Sequence, residues 1–445
     1  MRRRGAKGGA FFLLAGLPLL VAAAGLAAQA DPGGPGPVPG DRVLVLAPHP
    51  DDETLGCGGI IQKAVALNLP VRVVFLTYGD DNEWSFLIYR KFFVYGSHAV
   101  EKMGLVRDGE ARQAAAKLGL RADEVTFLGY PDHALQSIWY DHWSGQPPAV
   151  GPLSRAREVP YPDAYRPGAP YRGDDIVRDL RTILQDFKPT KVFLSHPADN
   201  HPDHRSLYVF TRVALWDVYG DAQGPPLFPY LVHFSGWPEH SGLHESWKLN
   251  PAPALRDGIR WVSEALDERE VKTKLEALRQ HKSQHEAGAP FLDAFVRENE
   301  LFGDFPDLTV GRESAGSEAA PVQVQGDRLL IAVEVPPSDV EKAHFSFGIF
   351  GYRCDVPFAQ MPKLRIRFSA RDHLVLDKGR ELDNATIEVR KENARLVVAL
   401  PLEALGHPQK ILLGTRAPLS VRPVGYFSWR IIVLPQAGPG PGQGR

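Results

Sequence analysis

The chain has 445 residues but only two cysteines, Cys57 and Cys354, too few for a disulfide scaffold. They fall in regions of different pattern, so no pairing between them is expected. Cys57, among glycines at a helix start, reads as a small packed residue, with thiolate ligation as the alternative. Charge of one sign is also missing. Fifty-one basic residues against 53 acidic ones give a net charge of −2, which offers no electrostatic footprint for nucleic acid. Beyond the first thirty residues no apolar run is long enough to span a membrane, and there are no internal repeats.

What is present begins with "MRRRGAKGG", a basic stretch, followed by the uncharged "AFFLLAGLPLLVAAAGLAA" and a small-x-small "AQA" at Ala28 to Ala30. This pattern is that of a secretory signal peptide over residues 1–30, which predicts export to a periplasmic or extracellular location. The apolar part is long, so an uncleaved segment tethering the protein to the membrane is the alternative. No Cys follows it, so no lipid anchor is expected. A Pro/Gly linker occupies 31–40. The chain as a whole is 44% hydrophobic and 23% charged, ordinary globular composition with room for two or three domains.

From Arg42 onward, short apolar runs alternate with helical patterns. "RVLVLA", "VRVVFLT", "EVTFLGY", "TKVFLSHP" and "YLVHFSG" read as strands, separated by helices such as "LGCGGIIQKAVALNL" and "DIVRDLRTILQDF". The strands lack clean alternation, as expected when both faces are covered. This order predicts an α/β fold, a Rossmann-like, doubly wound, mostly parallel sheet, over residues 41–308. Two stretches, 82–107 and 131–173, read as long loops rich in aromatics (Trp84, Phe86, Tyr89, Phe92, Phe93, Tyr95, Trp139, Tyr140, Trp143) that pack the loops down or shape a substrate site. Near 305–321 the pattern changes. "RLLIAVEV", "HFSFGIF", "KLRIRFS", "ATIEVR", "ARLVVAL", "KILLGT" and "FSWRIIVL" predict an all-β sandwich over 320–435, with "PLEAL" as a helical turn and 436–445 as a disordered tail.

The chemistry concentrates at two strand ends. "VLVLAPHPDDETLGCGG" runs from a buried strand into His49, Asp51, Asp52 and Glu53. Carboxylates beside an imidazole suit a divalent metal, with zinc the natural choice for mixed nitrogen and oxygen ligands. The plainer reading is acidic residues at a helix N-terminus, where free N–H groups attract them. "SHPADNHPDHRS" brings His196, Asp199, His201, Asp203 and His204 within one turn and the start of a helix; the spacing of His201 and His204 puts both imidazoles on one face. The two clusters can meet only if their strands are neighbours.

"PHPDDE" with a later "HPDH" resembles the PIG-L/LmbE-like family of zinc-dependent N-acetyl-sugar deacetylases, over about Arg42 to Phe302. Weaker parts of the resemblance are Thr77 to Asp80, Arg107 to Gly119, "FLGYPD" at Phe127 to Asp132, and "KLEALRQHKSQ" at Lys274 to Gln284. The resemblance implies one Zn2+ per chain, or another divalent metal, held by His49, Asp52 and His204. It further implies Asp51 as the general base, His201 as oxyanion stabiliser, and Arg107 and Asp132 as sugar contacts; the alternatives are an exposed helix-start salt bridge for Arg107 and a turn residue for Asp132, and Asp203 reads as an orienter of an imidazole. Glu53 and His196 read as structural. Asp80 is either a turn residue or a supporting acid, and His281 and Gln284 either line the site or sit on a helix surface. The last strands resemble carbohydrate-binding β-sandwiches.

The expected activity is hydrolysis of the N-acetyl group of an N-acetylglucosamine-type sugar or glycan. One alternative is an amidase on another sugar-linked amide. The other is a glycan-binding surface protein with an inactive catalytic domain.

Overall fold

The computed structural model describes residues 33–81, 96–220, 224–310, 322–334, 345–368, 373–382, 386–392, 395–416 and 428–434. The expected signal peptide, the tail 436–445, and Trp84, Phe86, Tyr89, Phe92, Phe93 and Tyr95 lie outside the described residues.

The first sheet consists of β1 (Val43–Ala47), β2 (Val71–Phe75), β3 (Val125–Phe127), β4 (Lys191–Ser195), β5 (Leu227–Tyr230), β6 (Arg260–Ala265) and β7 (Asn299–Asp304), in the order β3-β2-β1-β4-β5-β7-β6. All five residues of β1 are buried, which is why the run is continuously apolar. It pairs in parallel with β2 on one side and β4 on the other. The chain therefore winds outward in both directions from β1, and the crevice between the carboxyl ends of β1 and β4 is the switch point of the sheet.

The helices are α1 (Asp52–Ala66), α2 (Ser97–Lys117), α3 (Leu135–Asp141), α4 (Gly173–Phe187), α5 (Pro202–Tyr219), α6 (Glu268–Leu278) and α7 (Lys282–Leu292). Helix α1 opens with small residues because it lies hard against the sheet. A Cβ at Gly56 would stand 2.5 Å from the Tyr230 ring of β5. Glu300 of β7 takes the N–H groups of Gly59 and Ile60 and ion-pairs with Lys274 of α6 at 2.7 Å, all three elements being buried there. Among the described residues no helix is long and apolar enough to cross a membrane.

The structure corrects four expectations. The stretch 82–107 is not loop throughout, since α2 begins at Ser97; the stretch 131–173 contains α3. The fifth strand is Leu227–Tyr230, upstream of "VHFSG", because the N–H groups of Val232 and His233 are drawn to the Asp199 carboxylate instead of a neighbouring strand. Two strands passed unread, β6 and β7, and they close the sheet with antiparallel pairing. Their pattern is weak: β6 is only partly buried.

The C-terminal region holds further all-β sheets, one of four strands and one of seven. The "ATIEVR" strand lies at Glu388–Glu392, and Leu402–Leu405 forms the expected turn of helix. Strand Phe345–Tyr352 sorts its side chains by period two. Phe347 and Ile349 join a cluster with Leu329, Ile331, Val398 and Leu400 of the four-stranded sheet, while Phe350 and Tyr352 join the core of the α/β part. Leu412, Trp429 and Ile431 face the same way as Phe350; Ile411, Leu413 and Ile432 face the other. The seven-stranded sheet is therefore covered on both faces. Trp139 of α3 is the centre of the contact, with ring centroids 5.2 Å from Phe350, 5.4 Å from Phe358 and 5.8 Å from Trp429. Trp139, Trp143 and the half-buried Tyr140 thus pack the loop onto the β region. Cys57 is buried and Cys354 exposed; both are free thiols.

Candidate active site

Every group of interest sits just past the carboxyl end of a parallel strand. His49 and Asp52 follow β1, Asp80 and Asp81 follow β2, Asp132 and His133 follow β3, His196 to His204 follow β4, and His233 follows β5. Because β1 and β4 are hydrogen-bonded neighbours, the two sequence clusters meet.

Asp52 Oδ2 is the point of convergence, 3.3 Å from His49 Nδ1 and 3.2 Å from His204 Nε2. All three residues are buried. Neither ring nitrogen of His204 forms a hydrogen bond, although Asp52 and Asp199 oxygens lie 3.2 Å from them. Burial opposes charge on His49, yet Asp132, Asp203 and Asp52 hold its imidazole well above the ordinary range. Burial likewise opposes charge on His204, which Asp199 and Asp52 raise to about 9. Carboxylates that force protons onto two buried imidazoles mark a place that favours a cation. Orphaned nitrogens beside carboxylate oxygens are the donor set a divalent metal takes. The residues present fit such an ion.

Asp51 faces elsewhere. Its φ of 129° is unusual for a residue with a side chain, and the turn is fixed by its N–H donating to Glu53 Oε2 at 3.0 Å. Glu53 is buried, also accepts from Thr54, and lies 3.2 Å from His281 Nε2. These contacts hold the Asp51 turn and make His281 a buried partner of it instead of a surface residue. Burial pushes the Asp51 carboxyl up to about 7, against the pull of Arg107.

Arg107 is inside α2 and buried, not at a helix start. It donates to Gly79 O at 2.8 Å and Pro50 O at 2.6 Å, and lies 3.5 Å from Asp51 Oδ2. Gly79 has φ +62°, and a Cβ there would stand 2.2 Å from the guanidinium, so glycine is required. Asp132 is turned to the protein as well: Oδ1 is 3.0 Å from His49 Nε2, and its oxygens accept from the N–H groups of Asp81 and His133. Asp203 Oδ2 lies 3.4 Å from the same His49 nitrogen and accepts from the N–H of His133, while Oδ1 accepts from the N–H of Leu135. Asp80 accepts from Tyr161 Oη at 2.5 Å, and Gln284 is buried.

His201 caps α5, its Nδ1 accepting from the N–H of Asp203 at 3.3 Å. Its ring is 4.7 Å from that of His49 and 5.2 Å from that of His204. Burial, with His49, His204 and His233 around it, holds it well below the ordinary imidazole range, hence neutral. With Nδ1 accepting, the proton is assigned to Nε2. His196 stacks on Trp261 at 5.6 Å and accepts from the N–H of Ala198, a packing role as expected.

Three residues given no role from sequence complete the site. Asp199 bridges His204 Nδ1 to the backbone after β5. His233 lies 4.9 Å from the His204 ring and groups with Asp52 and His204 at metal-ligand spacing. His133 stands 4.8 Å from His201. For His233 and His133 the only signal in the sequence is position, shortly past a parallel strand; Asp199 also belongs to the second His/Asp cluster.

The family model described as GlcNAc-PI de-N-acetylase, PIG-L, matches residues 44–215. The chain is 34% identical over 258 residues to a 1D-myo-inositol 2-acetamido-2-deoxy-alpha-D-glucopyranoside deacetylase of Mycobacterium sp. (strain JLS), covering 55% of this chain and 74% of that protein. The corresponding protein of Mycobacterium sp. (strain KMS) is 30% identical with the same coverage. The solved N,N'-diacetylchitobiose deacetylase from Pyrococcus horikoshii is similar at 19% identity and a TM-score of 0.35, over 59% of this chain and 82% of that one. On the sequence relationship to the mycobacterial proteins, this chain belongs to the PIG-L family.

Proposed function

We propose that the protein is an exported, metal-dependent deacetylase that hydrolyses the N-acetyl group of an N-acetylglucosamine-type sugar. The observation that carries this is the division of labour between adjacent aspartates. Asp52 faces two imidazoles, and Asp51, on its strained turn, faces Arg107. The mycobacterial relatives are named for removing acetyl from a 2-acetamido sugar, which supports the same bond here. Export rests on the N-terminal sequence, and the proposed division is a deacetylase domain at 41–308 with a β-sandwich at 320–435, whose two sheets share one core.

His49, Asp52 and His204 would hold the metal, with zinc the best match to two imidazoles and a carboxylate. When bound, it supplies Lewis acidity toward the acetyl carbonyl and toward water. Asp51 takes the proton of the attacking water and returns it to the departing amine, so that the C–N bond breaks and acetate leaves. His201 presents a neutral Nε2–H to the carbonyl oxygen as negative charge develops there. Asp132 and Asp203 orient His49, and Asp199 orients His204. Arg107, held by two backbone carbonyls, fixes Asp51; in this reading its part is positioning, and Asp132 supports a ligand where the resemblance implied a sugar contact.

The test is acetate release by the purified chain, with zinc supplied, from N-acetylglucosamine, chitooligosaccharides and peptidoglycan fragments. Wild type should release acetate, and Asp51→Asn should lose roughly a hundredfold or more while keeping its metal. No acetate from any substrate with metal bound stoichiometrically would sink the proposal.

A further inference from the structure

Past β5, the chain forms a second concave site that the metal cluster does not use. The segment from Trp237 to Asn250 and the buried Arg297 enclose a cleft of about 300 Å³, within the range of small-ligand sites. The segment is firmly held. Trp237 Nε1 donates to Asn250 O at 2.8 Å, and Asn299 of β7 clamps Leu249 through both its N–H and its carbonyl.

The wall has two distinct features. Trp247 is 47% exposed, whereas Trp139, Trp143 and Trp237 are buried. It stacks on His244 at 4.2 Å, meets His240 edge-on at 5.2 Å, and lines the cleft. Arg297 is 2% exposed, and its guanidinium lies 5.7 Å from the Trp247 ring. It donates to Ala294 O and His240 O, yet no carboxylate among the described residues pairs with it. A buried guanidinium without a counter-ion, lining a cleft, calls for an anion from outside. Glu239, Lys248 and Asn250 add hydrogen-bonding groups at the wall.

An amphipathic ring for stacking, mixed donors and acceptors, and an unpaired cation together fit one chemistry. We infer that this cleft binds a sugar residue carrying an anionic substituent, a carboxylate or a phosphate, through stacking on Trp247 and charge on Arg297. A relay of three ring contacts joins the cleft to His233. His233 stacks on Phe291 at 5.6 Å, Phe291 meets Phe295 at 5.4 Å, and Phe295 meets Trp237 at 5.5 Å. The inference deepens the deacetylase reading, on which it rests for its purpose: the substrate becomes an acidic glycan longer than one residue.

Binding tests it without turnover. The metal-loaded Asp51→Asn chain is titrated with a glucuronic acid–N-acetylglucosamine disaccharide, N-acetylglucosamine 6-phosphate and N,N'-diacetylchitobiose. The better acidic probe should bind about tenfold more tightly than the neutral one, and Trp247→Ala should weaken all three probes by removing the stacking ring. Arg297→Lys, which keeps the charge but loses the fork, should weaken the acidic probe alone. Trp247 is exposed, so its variant is expected to fold, and unchanged zinc stoichiometry checks this. Whether the carboxylate or the phosphate probe binds better identifies the source of charge. Equal affinity for all three probes, or affinities that Trp247→Ala leaves unchanged, overturns the inference. A preference that persists in a protein releasing no acetate would leave the subsite standing and remove the deacetylase reading.

Discussion

Asp199 Oδ2 lies 3.2 Å from Nδ1 of His204, while the N–H groups of Val232 and His233 donate to that same oxygen at 3.0 Å. One carboxylate oxygen thus links an imidazole at the start of α5 to the backbone that follows β5. Asp199→Asn should therefore lower metal affinity about ten- to a hundredfold with the fold retained. A competition titration against a chelator reads this. Wild-type affinity in the variant would show that Asp199 serves only the backbone.

Metal should also stabilise the chain. At a free zinc concentration of roughly a hundred times the dissociation constant, the linkage gain is about 2.7 kcal/mol, seen as a rise in melting temperature. His204→Ala should abolish that rise. An equal rise in the variant would place the ion elsewhere.

Arg107 holds Pro50 O and Gly79 O and stands 3.5 Å from Asp51. Removing it leaves buried acceptors and a carboxylate unpaired, so Arg107→Met should cost about 3 kcal/mol in denaturant unfolding. Acetate release should fall through kcat, since Asp51 loses its partner. A variant altered only in KM would restore Arg107 as a sugar contact.

The contact between α3 and the C-terminal sheet depends on Trp139, fully buried among Phe210, Phe350, Phe358 and Trp429. Trp139→Ala should destabilise by about 3–5 kcal/mol. Unfolding followed by urea should show a lowered midpoint. A loss below about 1 kcal/mol would mean that the contact contributes little to folding.

The residues needed for the proposed chemistry were legible in order and spacing. His49, Asp51, Asp52, His201 and His204 all come together near Asp52 or on its adjacent turn. Periodicity and strand ends are local properties, so "RVLVLA" and "TKVFLS" identified the strands and the motifs past them. Asp132 and Arg107 could be located in sequence but not understood. Their partners, His49 and the carbonyls of Pro50 and Gly79, come from other strands' ends. His233 was missed because a single His in a loop carries no pattern, and Asp199, though part of the second cluster, had no role until its contact with His204 was seen.

By itself, then, the sequence determined which segments become buried strands and which side chains stand at their carboxyl ends, because hydrophobic period and turn chemistry act over a few residues. Only the tertiary structure decided that β1 lies beside β4, so that Asp52 meets His204. It also decided that the strand Phe345–Tyr352 is covered on one face by a second sheet and on the other by Trp139. Those outcomes depend on pairing and packing between groups far apart in the chain, which no local pattern encodes.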